Sequence, residues 1–180
     1  MSGAARFPDG LERRAAAELR AAGRRLEGYA AVFAAEAHIG GFTETIRTGA
    51  FRASLAAGGD VLALVDHDPG RLLARTASGT LRLAEDTRGL HFSLDVPDTS
   101  LGRDILALAE RRDLGGMSFS FRVKDEAWPA ADKRELRAVE LLEVSVVHAW
   151  PAYAATTVQA RSRAAQGSAA AARARFLETL

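Results

Sequence analysis

Three residues have the types that acyl-transfer chemistry needs, and each sits in an informative local pattern. His67 follows the apolar run Val61–Val65 within Asp66-His67-Asp68-Pro69-Gly70. The Pro-Gly step predicts a turn, which puts the imidazole at a strand end, a usual place for site residues. An imidazole titrates near neutrality and serves as a general base. A turn histidine bonded to a neighbouring Asp is the plainer reading of the same motif. Ser118 stands in Gly115-Gly116-Met117-Ser118-Phe119-Ser120-Phe121. Ser118 and Ser120 share one face of a predicted strand, and Met117, Phe119 and Phe121 share the other. A nucleophilic serine needs a base within hydrogen-bond reach and backbone amides for the oxyanion. The paired glycines permit the close backbone approach that such amides require. Two hydroxyls on the wet face of a strand is the competing account. Glu143 lies in the long apolar strand Val139–Val147, where strict alternation puts it on a face with Val139, Leu141, Ser145 and Val147. A carboxylate there is costly to bury unless paired. Orienting a catalytic histidine is one reason to keep it; an ion pair with one of the many arginines is another.

Of the other histidines, His38 precedes Gly40-Gly41 in a predicted loop and His91 alternates with Phe92 on a solvent-facing side. His148 ends the long strand on the face opposite Glu143 and competes for the third catalytic position. A His-Asp dipeptide also occurs in metal-dependent phosphohydrolases. Those enzymes need further His and Asp ligands on helices, whereas this pair sits at a strand end, so no metal is expected.

The elements that must carry these residues are mostly strands. Leu26–Ala34, Val61–Val65, Thr80–Ala84, Leu90–Val96, Met117–Val123 and Val139–Val147 read as strands from their apolar runs or alternation. Asp86-Thr87-Arg88-Gly89 reads as a hairpin turn between two of them. Pro97-Asp98-Thr99-Ser100 supplies cap residues for a helix with Leu101, Ile105 and Leu108 on one face, and a shorter helix is expected at Gly49–Ala56. Strands without regular βαβ alternation predict a mostly β, α+β fold: an antiparallel barrel or sandwich decorated by helices. Residues 1–25, with six Arg against three acids, read as a helical or flexible tail whose helix spans Arg13–Ala22. Residues 161–180 read as a second tail with a short helical pattern at Arg173–Leu180, which leaves 26–160 as the domain.

Composition narrows the function classes. The 180 residues are 48% hydrophobic and 26% charged, a globular balance. They contain no Cys, which excludes disulfides, thiolate metal sites and a cysteine nucleophile. A net charge of +1 argues against a dedicated nucleic-acid binder. No apolar run approaches the roughly 20 residues that span a bilayer, and the charged first 25 residues do not read as a secretory leader. All cations except Lys124 and Lys133 are arginine, a bias of the kind that GC-rich coding produces.

An ordered set of short segments carries a resemblance. Gly28-Tyr29-Ala30-Ala31-Val32-Phe33, Gly49-Ala50-Phe51, His67-Asp68-Pro69, Arg75-Thr76, Ser78-Gly79-Thr80-Leu81, Asp95 through Gly102-Arg103-Asp104, Gly116-Met117-Ser118-Phe119, Glu140-Leu141-Leu142-Glu143-Val144-Ser145 and Pro151-Ala152-Tyr153 occur in that order. Together, over about residues 26–160, they resemble the prohead (capsid maturation) protease family of tailed phages and phage-like particles, a group of serine peptidases. The resemblance implies a β-barrel flanked by helices, similar to the herpesvirus assembly proteases. It implies a serine endopeptidase without metal or cofactor, acting in the bacterial cytoplasm inside the assembling prohead. The implied partners are the major capsid protein with its scaffolding segment and the protease itself, by autoprocessing or as a homo-oligomer, with no nucleic acid and no membrane. On this carry-over His67 is the general base and Ser118 the nucleophile. The third member varies in the family, and Glu143 is assigned from its place on the strand after the serine. Two departures stand out: Ser120 occupies a position where the family usually has Gly, which makes it a rival nucleophile, and Asp66 is not the usual residue before the histidine. The alternative function is a catalytically inactive scaffolding protein of the same particle. A generic β-barrel binding module comes third.

Overall fold

The computed structural model describes residues 10–16 and 18–148. Its elements run β1 (Leu11–Ala16), β2 (Glu18–Ala22), β3 (Arg25–Val32), β4 (Ala37–Ile39), β5 (Phe42–Ile46), α1 (Arg52–Ala56), β6 (Leu62–Val65), β7 (Asp68–Arg75), β8 (Leu81–Glu85), β9 (Gly89–Asp95), α2 (Ser100–Arg111), β10 (Gly116–Ala130) and β11 (Lys133–Val147). The two long strands β10 and β11 pair antiparallel and form the spine of a seven-stranded sheet. On one side of the spine β1 pairs with β10. On the other, β11 pairs in parallel with β5 at its start and with β6 nearer its end, and β6 continues into the β6–β7 hairpin. A second, antiparallel sheet has the order β2-β3-β9-β8.

The expected closed antiparallel barrel is therefore not found among the described residues. The strands form two sheets, and the parallel partners of β11 make the larger one mixed. The core is made by inward residues of both sheets, including Leu26, Phe92 and Leu94 from one and Met117, Phe119, Phe121, Val144 and Val146 from the other. Phe119 meets Phe51 edge-on at 5.6 Å and stacks with Phe121 at 5.2 Å. The alternation that placed Met117, Phe119 and Phe121 together thus leaves Ser118 and Ser120 on the opposite face.

The helix expected over Arg13–Ala22 is replaced by two strands. β1 pairs with β10 through Leu11↔Arg122 to Ala16↔Met117, and β2 pairs with β3 through Glu18↔Tyr29 to Ala22↔Arg25. Alanine's helix propensity is a weak prior, and here two sheet edges take the segment. β1 thus belongs to the seven-stranded sheet and β2 to the four-stranded one. The C-terminal tail and its helical pattern lie outside the described residues. β4, β5 and β7 lie in segments that patterning assigns to no strand, and His38, expected in a loop, sits in β4; β3, β6, β8, β9 and both helices follow the patterning. Thr99 caps α2 by accepting from Gly102 N at 3.1 Å, and Ile105 and Leu106 are buried. Asp86 Oδ1 accepts from Arg88 N and Gly89 N, the side-chain turn that the Asp-Thr-Arg-Gly run predicts. Gly89 is required there, since a Cβ would lie 2.0 Å from the carbonyl oxygen of Ala31. No helix among the described residues is long and apolar enough to cross a membrane.

A buried ionic network holds β1 against the spine. Glu12, Glu44 and Arg134 are almost inaccessible to solvent. Arg134 donates from Nη1 and Nη2 to the two oxygens of Glu12 at 2.6 and 2.9 Å, from Nη1 to Glu44 at 3.0 Å, and from Nε to Glu126 at 2.6 Å. Arg14 donates to Glu44 at 2.6 and 2.8 Å and to Glu12 at 2.9 Å. Burial alone would raise the Glu12 pKa, but the bonds and charges of Arg134 and Arg14 outweigh it and hold the carboxyl below its ordinary value. Arg134→Met is expected to destabilise the fold by about 3–5 kcal/mol, because it strands buried carboxylates. A denaturant titration would measure this. A value under about 1 kcal/mol would mean that the network does not anchor β1. Because the Glu12 pKa is lower in the folded chain, its contribution is present above the unfolded carboxylate value and lost as pH falls through the folded one.

Candidate active site

The β6–β7 hairpin places His67. Val65 pairs with Asp68, so Asp66 and His67 are the two central residues of the turn. Both have positive φ, 52° and 61°, the pattern of a type I′ hairpin turn. The turn is thus one step earlier than Pro69-Gly70 implied, and those two residues belong to β7. Asp and His tolerate this left-handed conformation better than most residues but still need support. Asp66 N donates to Val146 O at 2.9 Å, and Asp66 Oδ1 accepts from His148 N at 3.0 Å. Asp66 Oδ2 bonds His148 Nδ1 at 2.6 Å and Arg71 at 2.9 Å. Burial works against the charge of Asp66, yet the bonds from His148 and the charge of Arg71 hold its pKa below the ordinary value. His148, the competitor for the third position, is therefore engaged by Asp66 and braces the turn.

A bulge in β11 places Glu143. Ser120 pairs with Glu143 while Phe121 pairs with Leu141, so Leu142 is an extra residue. The bulge reverses the alternation. Leu141, Val144 and Val146 all belong to the core, and Glu143 and Ser145 turn to the opposite face. This corrects the expectation that Glu143 shares a face with Val139 and Leu141. It now shares one with Ser118 and Ser120 of β10, whose register partners on β11 are Ser145 and Glu143.

On that face the side chains converge. His67 Nδ1 bonds Glu143 Oε1, which also accepts from Ser120 Oγ. Glu143 Oε2 accepts from Ser145 Oγ at 2.5 Å. Ser120 Oγ lies 3.3 Å from His67 Nδ1 and accepts from Arg13 Nε at 3.1 Å. Ser118 Oγ donates instead to the backbone carbonyl of Arg14 at 2.8 Å. Ser118, Ser120, Glu143 and Ser145 are all buried. Burial pushes the Glu143 pKa up, but the bond to and charge of His67, with the Ser120 and Ser145 hydroxyls, outweigh it and hold the carboxyl below its ordinary value.

This arrangement defines roles for the imidazole. A charged Glu143 accepts a hydrogen bond from Nδ1–H, which keeps the ring proton on Nδ1 and leaves the lone pair on Nε2, the atom placed to act as base. Gly115 N donates to Val147 O at 2.8 Å, so that amide is committed to the sheet and is not an oxyanion donor in this arrangement. His91 meets Tyr29 edge-on at 5.4 Å, and His38 lies 3.4 Å from Thr43 Oγ1, both remote in role from this cluster. No group of three or more His, Asp or Glu side chains among the described residues is arranged to hold a metal ion. Ser145, which patterning treated as a strand neighbour of Glu143, is part of the cluster. Its one sequence signal is a small polar residue in an otherwise apolar stretch.

Among protein families, a model described as caudovirus prohead serine protease matches residues 11–170. Neither the curated proteins nor the solved structures contain a match to this chain.

Proposed function

Since the chain belongs to the caudovirus prohead serine protease family, we propose that it is an active serine endopeptidase with Ser118 as nucleophile, His67 as general base and Glu143 as the group that orients the base. The observation that carries this is the pairing of the buried Glu143 carboxylate with the half-buried His67 imidazole, beside two serines of one strand face. Ser118 Oγ attacks the scissile carbonyl carbon while His67 Nε2 takes its proton. The tetrahedral intermediate collapses as the imidazolium returns that proton to the leaving amine, giving an acyl-enzyme that water hydrolyses by the same route. To attack, the Ser118 hydroxyl exchanges the Arg14 carbonyl for Nε2. The substrates are the scaffolding segment of the major capsid protein and the ends of the protease itself. The setting is the assembling prohead in the host cytoplasm. Kinship of fold with the herpesvirus assembly proteases belongs to the same proposal.

Ser120 supports a second reading, because it is the serine within 3.3 Å of a His67 nitrogen. It is disfavoured by the side of the ring on which it lies. Nδ1 is already taken by Glu143, and the Ser120 proton points at a carboxylate held below its ordinary pKa, a poor base. A fluorophosphonate probe separates the readings, because it phosphonylates an activated serine. Peptide mapping is expected to find the adduct on Ser118. An adduct on Ser120 transfers the nucleophile to that residue. No adduct, together with intact capsid protein on co-expression, favours an inactive scaffolding role.

A further inference from the structure

The mechanism uses Ser118, His67 and Glu143 and leaves two fully buried hydroxyls of the same cluster, Ser120 and Ser145, without a role; of these, Ser145 alone also bonds the backbone of the base. Ser145 stands two residues after Glu143 on β11, opposite Ser118 in one register and Leu64 in the other. Its Oγ donates to Glu143 Oε2 at 2.5 Å and accepts from the backbone N–H of His67 at 3.1 Å. A single oxygen therefore joins the main chain of the base to the carboxylate that orients the base. We propose that Ser145 is a positioning residue, holding the His67 turn and the Glu143 carboxylate in one frame. This rests on the reading of His67 as base and Glu143 as its orienting group.

Two features of the geometry require such a tie. The carboxylate torsion of a glutamate is broad and roughly two-fold, so bonds at Oε1 alone leave the plane of the group poorly set. Ser145 anchors Oε2 and thereby aims Oε1 at Nδ1. The second feature is the turn, where Asp66 and His67 both occupy the left-handed region. Asp66 is secured by Val146 and His148, whereas the His67 N–H finds its acceptor in Ser145 Oγ. Serine suits the position because a hydroxyl donates and accepts at once. Alanine does neither, and threonine does both in a residue type favoured in strands. Active-site groups need placement to within about 0.5 Å.

The test uses the full chain with Ser145→Ala and Ser145→Thr. One readout is kcat and KM on the capsid scaffolding segment. The other is the downfield proton resonance of His67 Nδ1–H, identified by its absence in His67→Ala. Ser145→Ala is expected to lower kcat about tenfold to a hundredfold, the size of one hydrogen bond to a charged group, with KM nearly unchanged. The same variant should shift or broaden the resonance, and Ser145→Thr should restore both. An unaltered resonance and kcat in Ser145→Ala overturn the proposal. So does a Ser145→Thr protein that folds as stably as wild type yet is as impaired as Ser145→Ala. Should Ser145→Ala not fold, Ser145→Cys, similar in size but a weak hydrogen-bonding group, is read by the same criteria. Were wild type to cleave nothing, the endopeptidase reading would fail by itself, and the resonance in Ser145→Ala would still decide the role of Ser145.

Discussion

Alanine at Ser118 is expected to stop processing of co-expressed capsid protein, with kcat down roughly a millionfold, the loss seen when a triad serine is removed. The fold should survive. The hydroxyl donates to the Arg14 carbonyl at 2.8 Å, and deleting one such bond costs about 1 kcal/mol. His67→Ala should be as inactive, because a nucleophile without its base is no better than a base without its nucleophile. The double variant should be no worse than either single one, since residues acting as a unit are not additive. Ser120→Ala should keep most of the activity, because Ser120 touches the carboxylate side of the imidazole. The opposite pattern, with Ser118→Ala active and Ser120→Ala dead, would make Ser120 the nucleophile. Intact-mass analysis of both chains distinguishes these outcomes in one experiment.

Glu143→Gln should have the next largest effect, a loss of about ten-thousandfold in kcat by analogy with the Asp-to-Asn change in a serine-protease triad. The side chain keeps its size, but an amide N–H can replace the carboxylate oxygen that now faces Nδ1. Nδ1 would then have to accept, which moves the ring proton to Nε2 and removes the base. The imidazolium formed during attack would also lose its counter-charge. A carboxylate that merely stabilised the sheet would behave differently: the melting temperature would fall while turnover per folded molecule stayed normal. Rate and melting curve, measured together, separate the two. The pH dependence carries a sign. The Glu143 pKa is lower in the folded chain than in the unfolded one. Its stabilising contribution is therefore complete above the unfolded value and is lost as pH falls through the folded one. Glu143→Gln should remove that part of the acid sensitivity.

Patterning by itself located most of the elements. Met117, Phe119 and Phe121 alternate, so β10 and the face of Ser118 and Ser120 were legible without any tertiary information. The cap residues before Leu101 likewise announced α2. The segment Arg13–Ala22 was not legible, because alanine-rich runs favour helix locally and only pairing with β10 and β3 makes them strands. The ordered family-like segments carried the membership that the match over residues 11–170 bears out.

The sequence alone determined which residue types were available: His67 and His148 at strand ends, two serines on one strand face, and the carboxylates of Glu140 and Glu143 in an apolar strand. It could not determine their assembly, because each decisive contact joins residues far apart in the chain. The bulge at Leu142 is set by pairing with β10, and it turns Glu143 out of the core and toward Ser120. The left-handed turn at Asp66 and His67 is held by Ser145 and Val146 of β11 and by His148 just after it. Alternation is a rule about one strand, and a bulge breaks it at a point that only the partner strand selects. For that reason tertiary structure, not residue pattern, decided that His67 meets Glu143 at Nδ1, that His148 braces the turn, and that Ser120 lies on the carboxylate side of the ring.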